Sequence, residues 1–161
     1  MPSHRTRVLV VLATICGGLL AGPGLDRVVV QNPAWQHVSP SVRARFIQEA
    51  DLGRGIAWYP AQGLAALVLS CAAAWSMSRE HRDVRIDAAR SAYAAAVLSI
   101  VALVVTAAVI VPNTRAVVYV RDTNLASAVF DRLTLWWKGK AALHVAAFVA
   151  NVLSLAKLRR S

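Results

Sequence analysis

The sequence predicts an all-α fold, a transmembrane four-helix bundle with a short amphipathic helix in the first outer loop. Three observations carry this. The 161 residues are 57% hydrophobic and only 16% charged, whereas a soluble domain carries about 25% charged residues. Four apolar runs, at about 8–30, 56–78, 91–111 and 133–156, match the ~20-residue helix that crosses a ~30 Å hydrocarbon core. Basic residues flank these runs. At this length the chain reads as one integral membrane domain, residues 1–161.

The net charge of +10 invites a nucleic-acid reading. The lysines and arginines form no interleaved basic–aromatic face, however, and membrane proteins gather such residues at their cytoplasmic ends. The expected partner is therefore the lipid bilayer, with no nucleic acid. Cys16 and Cys71 each fall inside a separate apolar run and make no CxxC motif, so they read as small buried hydrophobes.

The first run follows "MPSHRTR" and continues past "GPGLDR" into "VVVQ" without an A-x-A site. It reads as a retained helix, not a cleaved signal. Gly18 and Gly22 form a GxxxG pair, which admits close packing by another helix, and a homo-oligomer is compatible with this. Pro23 should bend or end the helix. The second run has Trp58 and Tyr59 at its start and Trp75 near its end, as in the aromatic belts of spanning helices. The third is stopped by Pro112. The fourth should start near Leu133, with Trp136 and Trp137 at the interface and Lys138 and Lys140 reaching outward.

Orientation follows from basic residues. Arg5 and Arg7, then Arg79, Arg82, Arg85 and Arg90, then Lys157, Arg159 and Arg160 face one side of a four-span chain. The other two loops spread a similar number over about twice the length, so both termini are expected in the cytoplasm and the protein in the plasma (inner) membrane.

In the first outer loop, "SPSVRARFIQEADLG" reads as a short helix, with Ser39 as N-cap, Pro40 in the first turn and Gly53 as the stop. Val42, Phe46 and Ala50, with Ile47 beside them, give it an apolar face suited to lying on the membrane surface or to capping the bundle. In the second outer loop "AVVYV" suits an extended segment, and Thr123 could cap a further helix.

Polar groups inside spans are costly and usually face the bundle interior. Trp137, His144 and Asn151 share a stripe on span four, and Ser99, Thr106 and Asn113 share one on span three. Gln62 and Ser70 share a face of span two, and Asp26 and Arg27 follow the Gly-Pro-Gly break. Gln62, Asn113, His144, Asp26, Trp136 and Trp137 fall toward the outer half, bordered by Arg54 and Arg115. Hydrogen bonding between helices accounts for some of these; Ser99 and Thr106 can also bond to their own backbone. A neutral histidine offers one donor and one acceptor, which suits proton transfer. His37, His144 and Asp26 would make a two-histidine, one-carboxylate iron set, but no local spacing supports a metal. No cofactor is expected either: P-loop, Rossmann, GxSxG and HExxH motifs are all absent.

The order of these features resembles a known family. A Gly-rich first span is followed by "EADLGRGIAWYPAQG", a third span ending "VPNTR", and a tryptophan shortly before a fourth span with a polar residue one turn in. This is similar to the anthrone-oxygenase-like family of small four-span membrane proteins, most of them of unknown function. Its recurrent "PN" and "W" correspond to Pro112–Asn113 and Trp137. His144 stands where that family tends to carry a basic residue, often arginine. The resemblance implies oxidation of an anthrone to an anthraquinone by molecular oxygen. His144 would then be the base, Asn113 or Gln62 would hold the developing oxyanion, and Trp136 and Trp137 would stack on the rings.

Two functions are thus expected from the sequence. One is a small oxygenase acting on a lipophilic aromatic or quinone-like molecule, with His144 and Asn113 catalytic and Gln62, Trp136, Trp137, Asp26, Arg54 and Arg115 at the ligand. The alternative is a non-catalytic membrane protein that binds a hydrophobic small molecule or supports a membrane complex. A transporter lacks support, since no inverted repeat or paired broken helices are evident.

Overall fold

The computed structural model describes residues 2–80, 86–119 and 122–158. Four helical segments long and apolar enough to cross a membrane run over His4–Trp35, Pro40–Arg79, Ile86–Tyr119 and Asn124–Leu158. They form an all-α four-helix bundle, and the length and composition of these helices make the chain an integral membrane protein. At 32 to 40 residues and 1.5 Å per residue they span roughly 50–60 Å. That exceeds a ~30 Å core, so each segment projects beyond the hydrocarbon.

The first segment contains α1 (His4–Asp26) and α2 (Asn32–Trp35), the second α3 (Pro40–Glu49) and α4 (Gly55–Arg79), and the third α5 (Ile86–Val105) and α6 (Val111–Tyr119). The fourth is α7 (Thr123–Leu158). Within the first three segments the helices are joined by π turns, at Arg27–Gln31, Ala50–Arg54 and Thr106–Ile110. Pro33 follows the first, Gly53 lies in the second and Pro112 follows the third. Proline lacks an N–H and crowds the carbonyl four residues back. A widened turn beforehand displaces that carbonyl and lets the helix continue.

Several sequence expectations are corrected here. Gly53 and Pro112 do not end their helices, and helix continues past Pro23 as well. The stretch Ala116–Tyr119 is helical, not extended. The fourth segment starts ten residues before Leu133, and its cap is Asp122 in place of Thr123: Asp122 Oδ1 accepts from the N–H groups of Asn124 at 2.8 Å and Leu125 at 3.1 Å. Ser39 does cap α3, accepting from Val42 N–H at 3.5 Å. That helix then runs through a π turn into α4. Its buried residues are Arg43 and Ile47, while Val42 and Phe46 are exposed. Packing against α6 and α7 therefore selects a different face from the one the fourfold spacing suggests.

In the bundle, α1 and α5 each pack between α4 and α7. The core is built from small residues. Ala73, Ala74, Ala88, Ala92 and Ala96 cluster with Val10, Met77 and Leu158 near the chain termini. Larger side chains such as Val29, Val68 and Ile100 point outward. This fits a membrane bundle, where lipid already solvates apolar side chains and close backbone approach holds the helices together. A Cβ on Gly24 would sit 3.5 Å from the Ala141 side chain, and one on Gly17 would sit 3.5 Å from the Phe148 backbone. These contacts fix the register of α1 against α7. Gly22, half of the GxxxG pair, has nothing within 4 Å.

The termini end is latched by polar contacts. Thr6 and Ser76 hydroxyls bond at 2.6 Å, Thr6 Oγ1 donates to Glu80 Oε1 at 2.6 Å, and Ser3 N donates to Glu80 Oε2 at 3.0 Å. Partial burial pushes the Glu80 carboxyl upward, but the bonds from Ser3 and Thr6 outweigh it and hold its pKa below the ordinary carboxylate value.

Candidate functional site

At the other end of the bundle the apolar run of α1 meets Arg27, the first residue of a π turn. Its guanidinium grips Asp51, in the second π turn, through two bonds: Nη1 to Oδ1 at 3.0 Å and Nη2 to Oδ2 at 2.5 Å. The side chains are 18% and 10% exposed, so this is a half-buried bidentate pair. The same guanidinium lies 3.8 Å from the ring centre of Trp137 and 5.8 Å from that of Trp35, within the range of cation–π attraction. Trp35 stacks on Phe130 at 5.9 Å, and Phe130 meets Trp137 edge-on at 5.9 Å. Arg43 lies 4.6 Å over Phe130. Ile110, from the third π turn, joins Phe130, Leu133 and Trp137 in one apolar cluster. All three π turns thus converge on the level of Trp137. Such turns recur at functional sites because the extra residue re-aims side chains.

Several buried polar atoms here have no partner: Arg27 Nε, Arg43 Nε, Thr134 Oγ1, and both Nδ2 and Oδ1 of Asn32. Asn32 is 3% exposed. Arg27 lies beside Trp137, so the next turn of the first segment brings Asn32 to the level of Leu133 and Thr134 on α7. Leaving such groups unpaired costs about 1–3 kcal/mol each, and a bound molecule would relieve that cost. Lys140, one turn from Trp137 on α7, is half-buried. Arg27, Arg43 and Lys140 against Asp51 leave an excess of two positive charges on an aromatic wall.

The residues singled out from sequence distribute unevenly. Trp137 lies in the site and Trp136 packs against its cluster. His144 lies inward and half-buried with Nε2 unpartnered, one turn beyond Lys140 and level with Ala21. The bond from Asn151 Nδ2 to Ser70 Oγ, at 3.4 Å, aligns α4 with α7 and brings Gln62 to the level of His144. Asn113 is elsewhere: its amide donates to Val109 O at 2.7 Å, as Ser99 and Thr106 donate to Ala95 O and Ala102 O. Each residue of the span-three stripe thus donates one bond to its own helix. Asn113 lies beyond Ile110, roughly 15–20 Å along the axis from His144. Asp26 is exposed and accepts from Gln31 Nε2 at 2.6 Å. Arg115 is exposed. Arg54 is exposed beside a cavity of about 280 Å³ shared with Glu49, Trp58 and Tyr59. A second cavity, at the termini end, holds about 360 Å³; His144 lines neither. His37 is exposed in the turn after α2. Among the described residues no three of His, Cys, Asp and Glu are placed to hold a metal.

Asp51, Trp35, Asn32 and Lys140 were not legible as site residues. Asp51 lies in a predicted surface helix and Trp35 in a predicted loop. Their signal was the aromatic and charged residues just beyond each apolar run.

Fold and site together define a class: a four-helix integral membrane bundle with a half-buried, aromatic-lined ion pair at the end away from the termini. No protein-family model, curated protein or solved structure matches the chain.

Proposed function

We propose that this protein binds a flat, lipophilic molecule bearing a carbonyl or acidic oxygen, a quinone- or anthrone-like compound, among Trp35, Phe130 and Trp137. The observation that carries this reading is the Arg27 guanidinium over the rings of Trp137 and Trp35; the buried, unpartnered amide of Asn32, five residues further along the same segment, supports it. The rings would stack on tryptophan. The oxygen would accept from Asn32 Nδ2, Arg27 Nε or Lys140, whose charge-assisted bonds are the strong ones in a dry site. The contact of Arg27 with these rings supports the binding protein as the first reading, ahead of the oxygenase. The test is titration of the purified protein in nanodiscs with a naphthoquinone, followed by tryptophan quenching. Asn32→Leu and Lys140→Met should each weaken binding about tenfold. Binding that matches the unaltered protein in both variants removes the site from the proposal.

A second reading, the oxygenase, rests on His144, whose buried Nε2 is unpartnered at the level of Gln62. His144 would take the acidic proton of an anthrone, and the resulting anion would react with oxygen. Purified protein supplied with an anthrone and oxygen should then form quinone, and His144→Ala should abolish it. Quinone formation that survives the substitution takes His144 out of the reaction.

The dense basic residues of the tails and of the α4–α5 connection support placing both termini in the cytoplasm, with the aromatic site toward the outer face of the plasma membrane.

A further inference from the structure

We infer that the groove between the first turn of α1 and the last turn of α4 is a binding site for the phosphate of an anionic phospholipid. The cavity there has a volume of about 360 Å³. Its lining is graded along the helices. Arg5 and Arg79 stand at the helix ends, while Leu9 and Ala72, one and two turns deeper, form an apolar floor. Trp75 lies between them, 55% exposed, with the Arg79 guanidinium 4.6 Å over its ring. Charge at the helix end, an indole at the boundary and alkyl surface below follow the profile of one lipid, from headgroup to glycerol to chain. Basic pockets between helices at a membrane face are suited to anionic headgroups.

The charges favour one headgroup. Among the described residues neither Arg5 nor Arg79 is held in an ion pair. Glu80 also borders the cavity, but its oxygens are engaged by Ser3 and Thr6. Two guanidiniums and one carboxylate leave one positive charge, which a phosphodiester balances. Phosphatidylglycerol adds no cation of its own. The trimethylammonium of phosphatidylcholine would be brought up against two arginines. Free phosphate would leave the apolar floor uncovered. Arg5 and Arg27 are 22 residues apart on one segment, about 33 Å at 1.5 Å per residue, so this site is independent of the aromatic one.

The test is native mass spectrometry of the full-length protein in detergent with equal phosphatidylglycerol and phosphatidylcholine. Retention should favour phosphatidylglycerol by about fivefold or more, since one arginine near a lipid surface is worth about that factor. Arg5→Gln, at an exposed position without an ion pair, should lower the preference about fivefold. Arg5→Gln with Arg79→Gln should erase it, and the corresponding double lysine variant should keep most of it. Equal retention of the two lipids by the unaltered protein overturns the proposal, as does a preference that survives Arg5→Gln undiminished. Complete displacement of the lipid by inorganic phosphate also overturns it, because the groove is then an anion site without a lipid floor.

Discussion

Arg27 and Asp51 illustrate what one half-buried charge does when its partner is taken away. In the bidentate pair each charge is neutralised where water is scarce. Arg27→Met strands the Asp51 carboxylate and should cost about 3–5 kcal/mol, read as a lower unfolding midpoint in detergent. The double variant Arg27→Met with Asp51→Leu should recover most of that loss. If Arg27→Met alone is as stable as the unaltered protein, the pair is not desolvated in the membrane. Glu80 behaves differently because it is only partly buried, at a helix end. Its folded pKa is depressed, so its contribution is present above the ordinary carboxylate pKa and lost as pH falls through the lowered one. Thermal midpoints should drop on acidification through that window, and Glu80→Gln should flatten the drop.

At the scale of elements, the α1–α7 interface was partly legible. The stripe Trp137–His144–Asn151 does face inward: Trp137 and Asn151 are buried and His144 is half-buried. Asn151 bonds to Ser70 as a helix-to-helix contact, worth about 0.6 kcal/mol. Asn151→Leu should therefore change stability by less than about 1 kcal/mol. The glycine pair divides: a Cβ on Gly18 would sit 3.3 Å from the Phe148 ring of α7, as close packing predicts, while Gly22 meets nothing, because spacing shows which glycines share a face but not what that face meets. Gly24→Leu should destabilise by about 1–3 kcal/mol through overpacking against Ala141. Gly22→Leu, with open space around it, should fall within about 0.5 kcal/mol of neutral. Equal effects of the two would show that Gly22 is covered, as in an oligomer. Asn113 shows a related limit: its spacing with Ser99 and Thr106 is real, but its amide turns back to its own Val109 carbonyl instead of reaching His144.

For the whole molecule, four alternating segments place α1's start and α7's end on one side. Ser3→Cys and Asn124→Cys, both at exposed positions, should react with a membrane-impermeant maleimide from opposite sides of sealed vesicles. Labelling of both from one side would break the four-span topology. The two sites proposed above sit at opposite ends of this frame, so substitutions at Arg5 and Lys140 should act independently.

By itself the sequence determined the membrane class, the four spans and the inward stripe of α7. These follow from hydropathy summed over some twenty residues and from helical periodicity, and both are local properties. Only the tertiary structure decided which polar residues meet. It continued the helices through Gly53 and Pro112 by means of π turns, moved the buried face of α3 to Arg43 and Ile47, and joined Arg27 to Asp51 under Trp137. The physical reason is that a π turn adds one residue and rotates all that follows. Which side chain lands against which neighbour then depends on packing between segments distant in the chain.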